Sequence, residues 1–111
     1  MGHLYYGNVS EPIEIPDRLL AHLRVVVTTK LRRSESFTLS WRHSEEAPTG
    51  LSTIWMQPAI PLRFVFDVEV DTLDAEMLHQ FATAAGSSKG LVVDLGMMDE
   101  NIASLRAVDA A

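Results

Sequence analysis

Residues 17–41, DRLLAHLRVVVTTKLRRSESFTLSW, carry an apolar pattern that passes from helical to alternating with almost no spacer. At about 100° per residue, Leu19, Leu20, Leu23, Val26, Val27 and Leu31 fall in one broad arc. Arg18, His22, Val25, Thr29 and Arg32 fall opposite, with Arg33 nearby. Pro16-Asp17 opens the helix, and the Asp17 carboxylate is placed to cap its positive end. The run Val25-Val26-Val27 lowers intrinsic helicity, an effect that burial of the apolar arc outweighs. Lys30 projects towards that arc and is expected to snorkel from the last turn. Ser34-Glu35-Ser36 breaks the helix. Phe37, Leu39, Trp41 and His43 then share one face of a strand, with Thr38, Ser40 and Arg42 on the other. A helix feeding directly into a half-buried strand leaves two apolar surfaces for the rest of the chain to cover.

The flanking segments are suited to that. Residues 3–7 read as a short strand, Gly7, Asn8 and Ser10 as a turn, and Ile13 and Ile15 as one face of a return strand. Pro12 cannot donate to a ladder and places that strand's start or edge. After the turn-rich SEEAPTG, residues 53–56 return, and 57–61 turn again. Leu62, Phe64, Phe66, Val68 and Val70 alternate with Arg63, Val65, Asp67 and Glu69, predicting a long strand that completes an antiparallel meander. Asp71 or Thr72 is expected to cap a second helix with Leu73, Met77, Leu78, Phe81, Ala84 and Ala85 in its stripe, ended by a left-handed Gly86. Residues 91–95 predict a last strand. The order β-β-α-β-β-β-α-β predicts an α+β domain, one largely antiparallel sheet of five to six strands covered by two helices. Residues 1–96 form this single domain, and 97–111 an acidic tail or short docking helix with Met98, Ile102 and Leu105 aligned.

Composition removes whole classes of chemistry. The chain has no cysteine, which rules out disulfides and thiolate metal sites. MGHLYYGNVS lacks the features of a signal peptide, and no apolar run is long enough to span a membrane, so a cytoplasmic location is expected. Tyr6 stands where an N-myristoylation signal needs Ser or Thr. The net charge of −6 is divided: residues 1–63 sum to +1 and residues 64–111 to −7. That division fits either an anionic partner for the first half or plain solvation of the second.

Catalytic signatures are missing. His3, His22, His43 and His79 include no i, i+4 helical pair and no HExxH, and all four read as surface residues, with no metal expected. No serine occupies a GxSxG elbow, and the glycines form neither GxGxxG nor a P-loop. Asp67, Glu69 and Asp71 would share a strand face and read as its solvated side rather than a cation site. The chain is therefore read as a non-enzyme without a cofactor. The remaining candidate is basic: Arg18, His22, Arg32 and Arg33 on one side of the first helix, with Arg42 on the next strand. Arginine forks grip phosphate, and Trp41 or Trp55 can stack on a base or anchor a protein contact. Last-turn cations also complement the helix dipole with no ligand at all.

DRLLAHLRVVVTTKLRRSESFTLSW followed by STIWMQPAIPLRFVF resembles a family of short actinobacterial proteins of unknown function, over roughly residues 1–95. The resemblance implies an actinobacterial or actinophage origin. Some relatives carry the label ATP-dependent DNA ligase, which needs a lysine nucleophile in KxDG. Here Lys30 precedes Leu31-Arg32-Arg33 and Lys89 precedes Gly90-Leu91-Val92, so the label finds no chemistry. The expected function is a small non-catalytic binding module that contacts nucleic acid or another anionic partner through the basic helix face. The alternative is a protein-interaction or self-associating domain using its tryptophans.

Overall fold

The structure is a computed structural model that describes residues 1–42 and 50–95; His43 and the tail from 97 onward lie outside the described residues. The elements run β1 (Gly2–Tyr6), β2 (Ile13–Ile15), α1 (Asp17–Arg32), β3 (Phe37–Arg42), β4 (Leu51–Met56), β5 (Leu62–Val65), α2 (Ala75–Ala85) and β6 (Leu91–Asp94). The α+β class and the element order are as the sequence predicts.

The sheet is divided in two, which corrects the single sheet expected. One sheet has the order β2-β1-β5 and is antiparallel throughout; the other has the order β4-β3-β6, with β3–β4 antiparallel and β3–β6 parallel. The meander fails at 57–61, where Ile60 N–H closes a turn onto the Gln57 carbonyl and two prolines flank the bend. The chain leaves β4 there, and β5 pairs with β1 in the register Leu4↔Phe64. β5 also stops at Val65, so Phe66–Val70 continue the alternation without a ladder. Gly7 N–H donating to the Pro61 carbonyl secures the β1–β5 end. Tyr6 Oη–H donates to the Trp55 carbonyl, joining the first sheet to β4 of the second.

The core lies between the sheets and helices. Leu4 and Ile15 come from the first sheet; Leu19, Leu20, Leu23, Val26 and Val27 from α1; Phe37, Leu39, Met56, Leu91 and Val93 from the second sheet; Phe81 and Ala85 from α2. Asp17 does not cap α1, whose N-cap is Pro16. Its Oδ1 accepts from the Asp67 amide at 3.0 Å and its Oδ2 from the Met1 ammonium at 3.1 Å. Asp17, with Asp67 at 3.4 Å, holds the ammonium pKa above its ordinary value. Asp67, Glu69 and Asp71 consequently share no strand face. α2 begins later than expected, with Asp74 as its N-cap accepting from Glu76 N–H and Met77 N–H, and Gly86 ends it at φ −83° rather than left-handed.

The helix that ends in a left-handed residue is instead α1, with Ser34 at φ +60°. Ser34 N–H bonds to the Leu31 carbonyl and Glu35 N–H to the Lys30 carbonyl, the paired bonds of a Schellman stop. An apolar contact normally closes this motif between the residues held here by Lys30 and Glu35. An ion pair stands in its place, Lys30 Nζ to Glu35 Oε2 at 3.8 Å. Glycine suits a left-handed stop far better than serine. Ser34→Gly is expected to raise stability by about 0.5–1 kcal/mol in urea unfolding.

Gly90 lies against the backbone of β3 and leaves no room for a side chain. Its φ is +76°, and an added Cβ would run into the Thr38 hydroxyl and come within 2.7 Å of the Thr38 carbonyl. This close approach lets β6 lie parallel to β3. Gly90→Ala is expected to cost about 3 kcal/mol or more. Gly86→Ala, where an added Cβ would make only ordinary van der Waals contacts and φ is helical, should stay within about 1 kcal/mol of wild type in the same unfolding series.

Candidate functional site

The polar side of α1 is largely committed to the fold. His22, predicted on the surface, is fully buried. Its Nδ1 lies 2.7 Å from the Arg18 carbonyl, and its Nε2 lies 2.9 Å from the Asp74 amide nitrogen. A carbonyl only accepts and an amide only donates, so the ring is the neutral tautomer with its proton on Nδ1. Arg18 turns the same way: its Nη1 donates to the Thr72 carbonyl at 3.5 Å, and its Nε is buried. Arg24 lies over the Phe66 ring, 4.9 Å from its centroid. Three side chains of α1 therefore clasp residues 66–74, the extended segment that leads into α2. The helical wheel could not register this, because the covering element is not periodic.

His22→Ala would leave the Asp74 amide without its acceptor and open a void. A loss of about 2–4 kcal/mol is expected in chemical denaturation. His22→Gln, whose carbonyl can reach the same amide, should recover part of that loss. A solvent-facing histidine would show neither effect.

The other candidates separate into two groups. Arg32 and Arg33 are exposed at the end of α1, and Arg33 Nε lies 3.6 Å from Glu35 Oε2. Beside them opens a cleft of about 400 Å³ lined by Lys30, Glu35, Phe37, Thr38, Trp55 and the Ala85–Ser88 turn. Trp55 stands on its rim, 53% exposed. Arg42, at the far end of β3, is four residues beyond Thr38, the partner of Trp55, or roughly 13 Å along the strand. Trp41 is half-buried and packs against the core. The fold thus gathers Arg32, Arg33 and Trp55 near one end, and removes Arg18, His22, Arg42 and Trp41 from that group.

The electrostatics of this end are balanced. The carbonyl ends of α1 and α2 both adjoin the cleft, and a helix C-terminus carries partial negative charge. Lys30 and Arg33 complement it and also flank Glu35. The sequence reading missed Lys30, Glu35, Ser87 and Ser88 as neighbours of Trp55. The one available signal was the polar GSSKG turn after α2, and nothing local ties that turn to α1.

The outer face of the second sheet adds an apolar feature. β3–β4 pairing places Trp55 opposite Thr38, Thr53 opposite Ser40 and Leu51 opposite Arg42, all on the side away from the core. Ser40 Oγ and Thr53 Oγ1 are 2.7 Å apart. Leu51 is 52% exposed, matching Trp55 on the same strand. Among the described residues, no three His, Asp or Glu side chains gather to hold a metal ion. No helix of the described residues is long and apolar enough to cross a membrane.

Residues 1–96 match the family described as Domain of unknown function (DUF7882), and the chain belongs to that family. No curated protein matches it, and no solved structure does.

Proposed function

We propose that the domain is a small non-catalytic binding module whose contact surface is the outer side of β4, centred on Trp55 and continued by Leu51. The observation that carries this reading is the exposure of both large apolar side chains, 53% and 52%, on one face of one edge strand. An indole held on a strand and left in water offers a large rigid contact area at low entropic cost, the usual anchor of a protein interface. The basic side of α1 supports an anionic partner less well, since His22 and Arg18 are spent on residues 72–74 and Lys30 and Arg33 on Glu35.

A second reading is nucleic-acid contact, the context hinted at by the ligase label of similar proteins. It rests on Arg32 and Arg33 remaining exposed near an aromatic ring. The two readings diverge in one experiment. The immobilised domain, its Trp55→Ala variant and its Arg32→Ala/Arg33→Ala variant are each used to capture binders from a lysate of the source organism. The β4 reading expects a protein that Trp55→Ala loses by at least tenfold and the arginine variant retains, with little dependence on salt. Recovery of nucleic acid that the arginine variant and high salt abolish would replace it with the second reading.

A further inference from the structure

We infer that the cleft beside Trp55 is a saccharide site, taking a neutral pyranose ring that stacks on the indole and is hydrogen-bonded at its edge by the other walls. The inference goes beyond the β4 contact surface, with which the cleft shares Trp55 but not Leu51.

The cleft lies where three parts of the chain meet. The end of α1 and its stop contribute Lys30, Glu35 and Ser36. The strand pair contributes Phe37 and Thr38, with Trp55 directly opposite Thr38, and the turn after α2 contributes Ser87 and Ser88. A Cβ added at Gly86 would lie 3.9 Å from Lys30 Nζ, so the ammonium reaches from α1 to the end of α2. At about 400 Å³ the space suits a small molecule.

Charge selects against ions. Lys30 and Arg33 oppose a ligand cation, while Glu35 and the carbonyl ends of both helices oppose an anion. A neutral group that answers both signs is a hydroxyl, which accepts from an ammonium and donates to a carboxylate. Lys30 and Glu35 retain bonding capacity for it. Their separation of 3.8 Å is an ion pair too long for a hydrogen bond, and Glu35 Oε2 is buried without a hydrogen-bond partner. The exposed hydroxyls of Ser36, Ser87 and Ser88 add further donors and acceptors.

Trp55 supplies the other half of the match. Its indole is 53% exposed and offers a flat apolar face on the rim. A pyranose carries C–H groups on the faces of its ring and hydroxyls around its edge. It therefore covers an indole while keeping its hydroxyls for the polar walls. A plain aromatic ligand would match the indole but leave the ammonium, carboxylate and hydroxyls beside it without partners.

The experiment titrates the isotope-labelled full chain with cellobiose, maltose and diacetylchitobiose, each to about 10 mM, and follows it by NMR. The chain has two tryptophans, so the indole N–H signals report the site and a control. The Trp55 indole and the amides of 36–38 and 86–88 are expected to shift with at least one sugar, while half-buried Trp41 stays still. Saturation transfer should reach the ring C–H protons, with a Kd on the order of 1 mM. Trp55→Ala is expected to abolish the response and Lys30→Met to weaken it by about tenfold. Leu51→Ala, four residues along the strand, should leave it unchanged. Circular dichroism confirms that each variant is folded.

No movement of the Trp55 indole with any of the sugars overturns the inference. So does a response to sodium phosphate or methylammonium chloride alone, which would give the cleft to an ion. Sugar binding that Leu51→Ala abolishes also overturns it, by moving the contact out of the cleft. The β4 contact surface stands or falls separately, on capture of a protein that depends on both Trp55 and Leu51 and that Lys30→Met leaves intact.

Discussion

Everything in this domain is arranged around the burial of α1 on more sides than its apolar stripe accounts for. Leu19, Leu20, Leu23, Val26 and Val27 meet the sheets and α2, while Ala21 and His22 are covered as well. A helix enclosed that far must satisfy any polar group it encloses. His22 does so by donating to its own helix and accepting from the amide that begins α2's cap. The same Asp74 then holds the first turn of α2 through its side chain. One imidazole thereby fixes the distance between the two helices, and α2 in turn closes over Leu91 and Val93 of the second sheet.

The parts legible in the sequence were those with a local cause. The apolar arc of α1, the strand alternation of 37–42, the stop at 34–36 and the Met77–Leu78–Phe81 stripe follow from neighbours a few residues apart. What escaped was set by distant partners. Nothing within 62–70 says that β5 will leave β4 for β1, or that pairing ends at Val65. Nothing within 18–24 says that an irregular segment some fifty residues on will cover the polar side. By sequence Arg18 and His22 fall in a ligand-binding stripe, whereas their partners are backbone groups of the same chain. Trp55, a candidate by residue type, is presented to solvent; Trp41, a candidate on the same ground, is part of the packing.

The exposed end of the molecule is defined by what the helices do not use. Cations gathered there answer to two helix C-termini and to Glu35, while Trp55 and Leu51 present the exposed apolar side chains of β4.

The placement of β6 carries a kinetic consequence. Leu39 pairs with Leu91, and His3 with Val65, so each sheet closes through contacts more than fifty residues apart in the chain. Only the β1–β2 and β3–β4 pairs form from neighbouring sequence. Closing such long loops must precede the contacts that reward it, which slows folding relative to a helical bundle of equal length. During synthesis, β3 therefore waits with one side open until the last strand emerges.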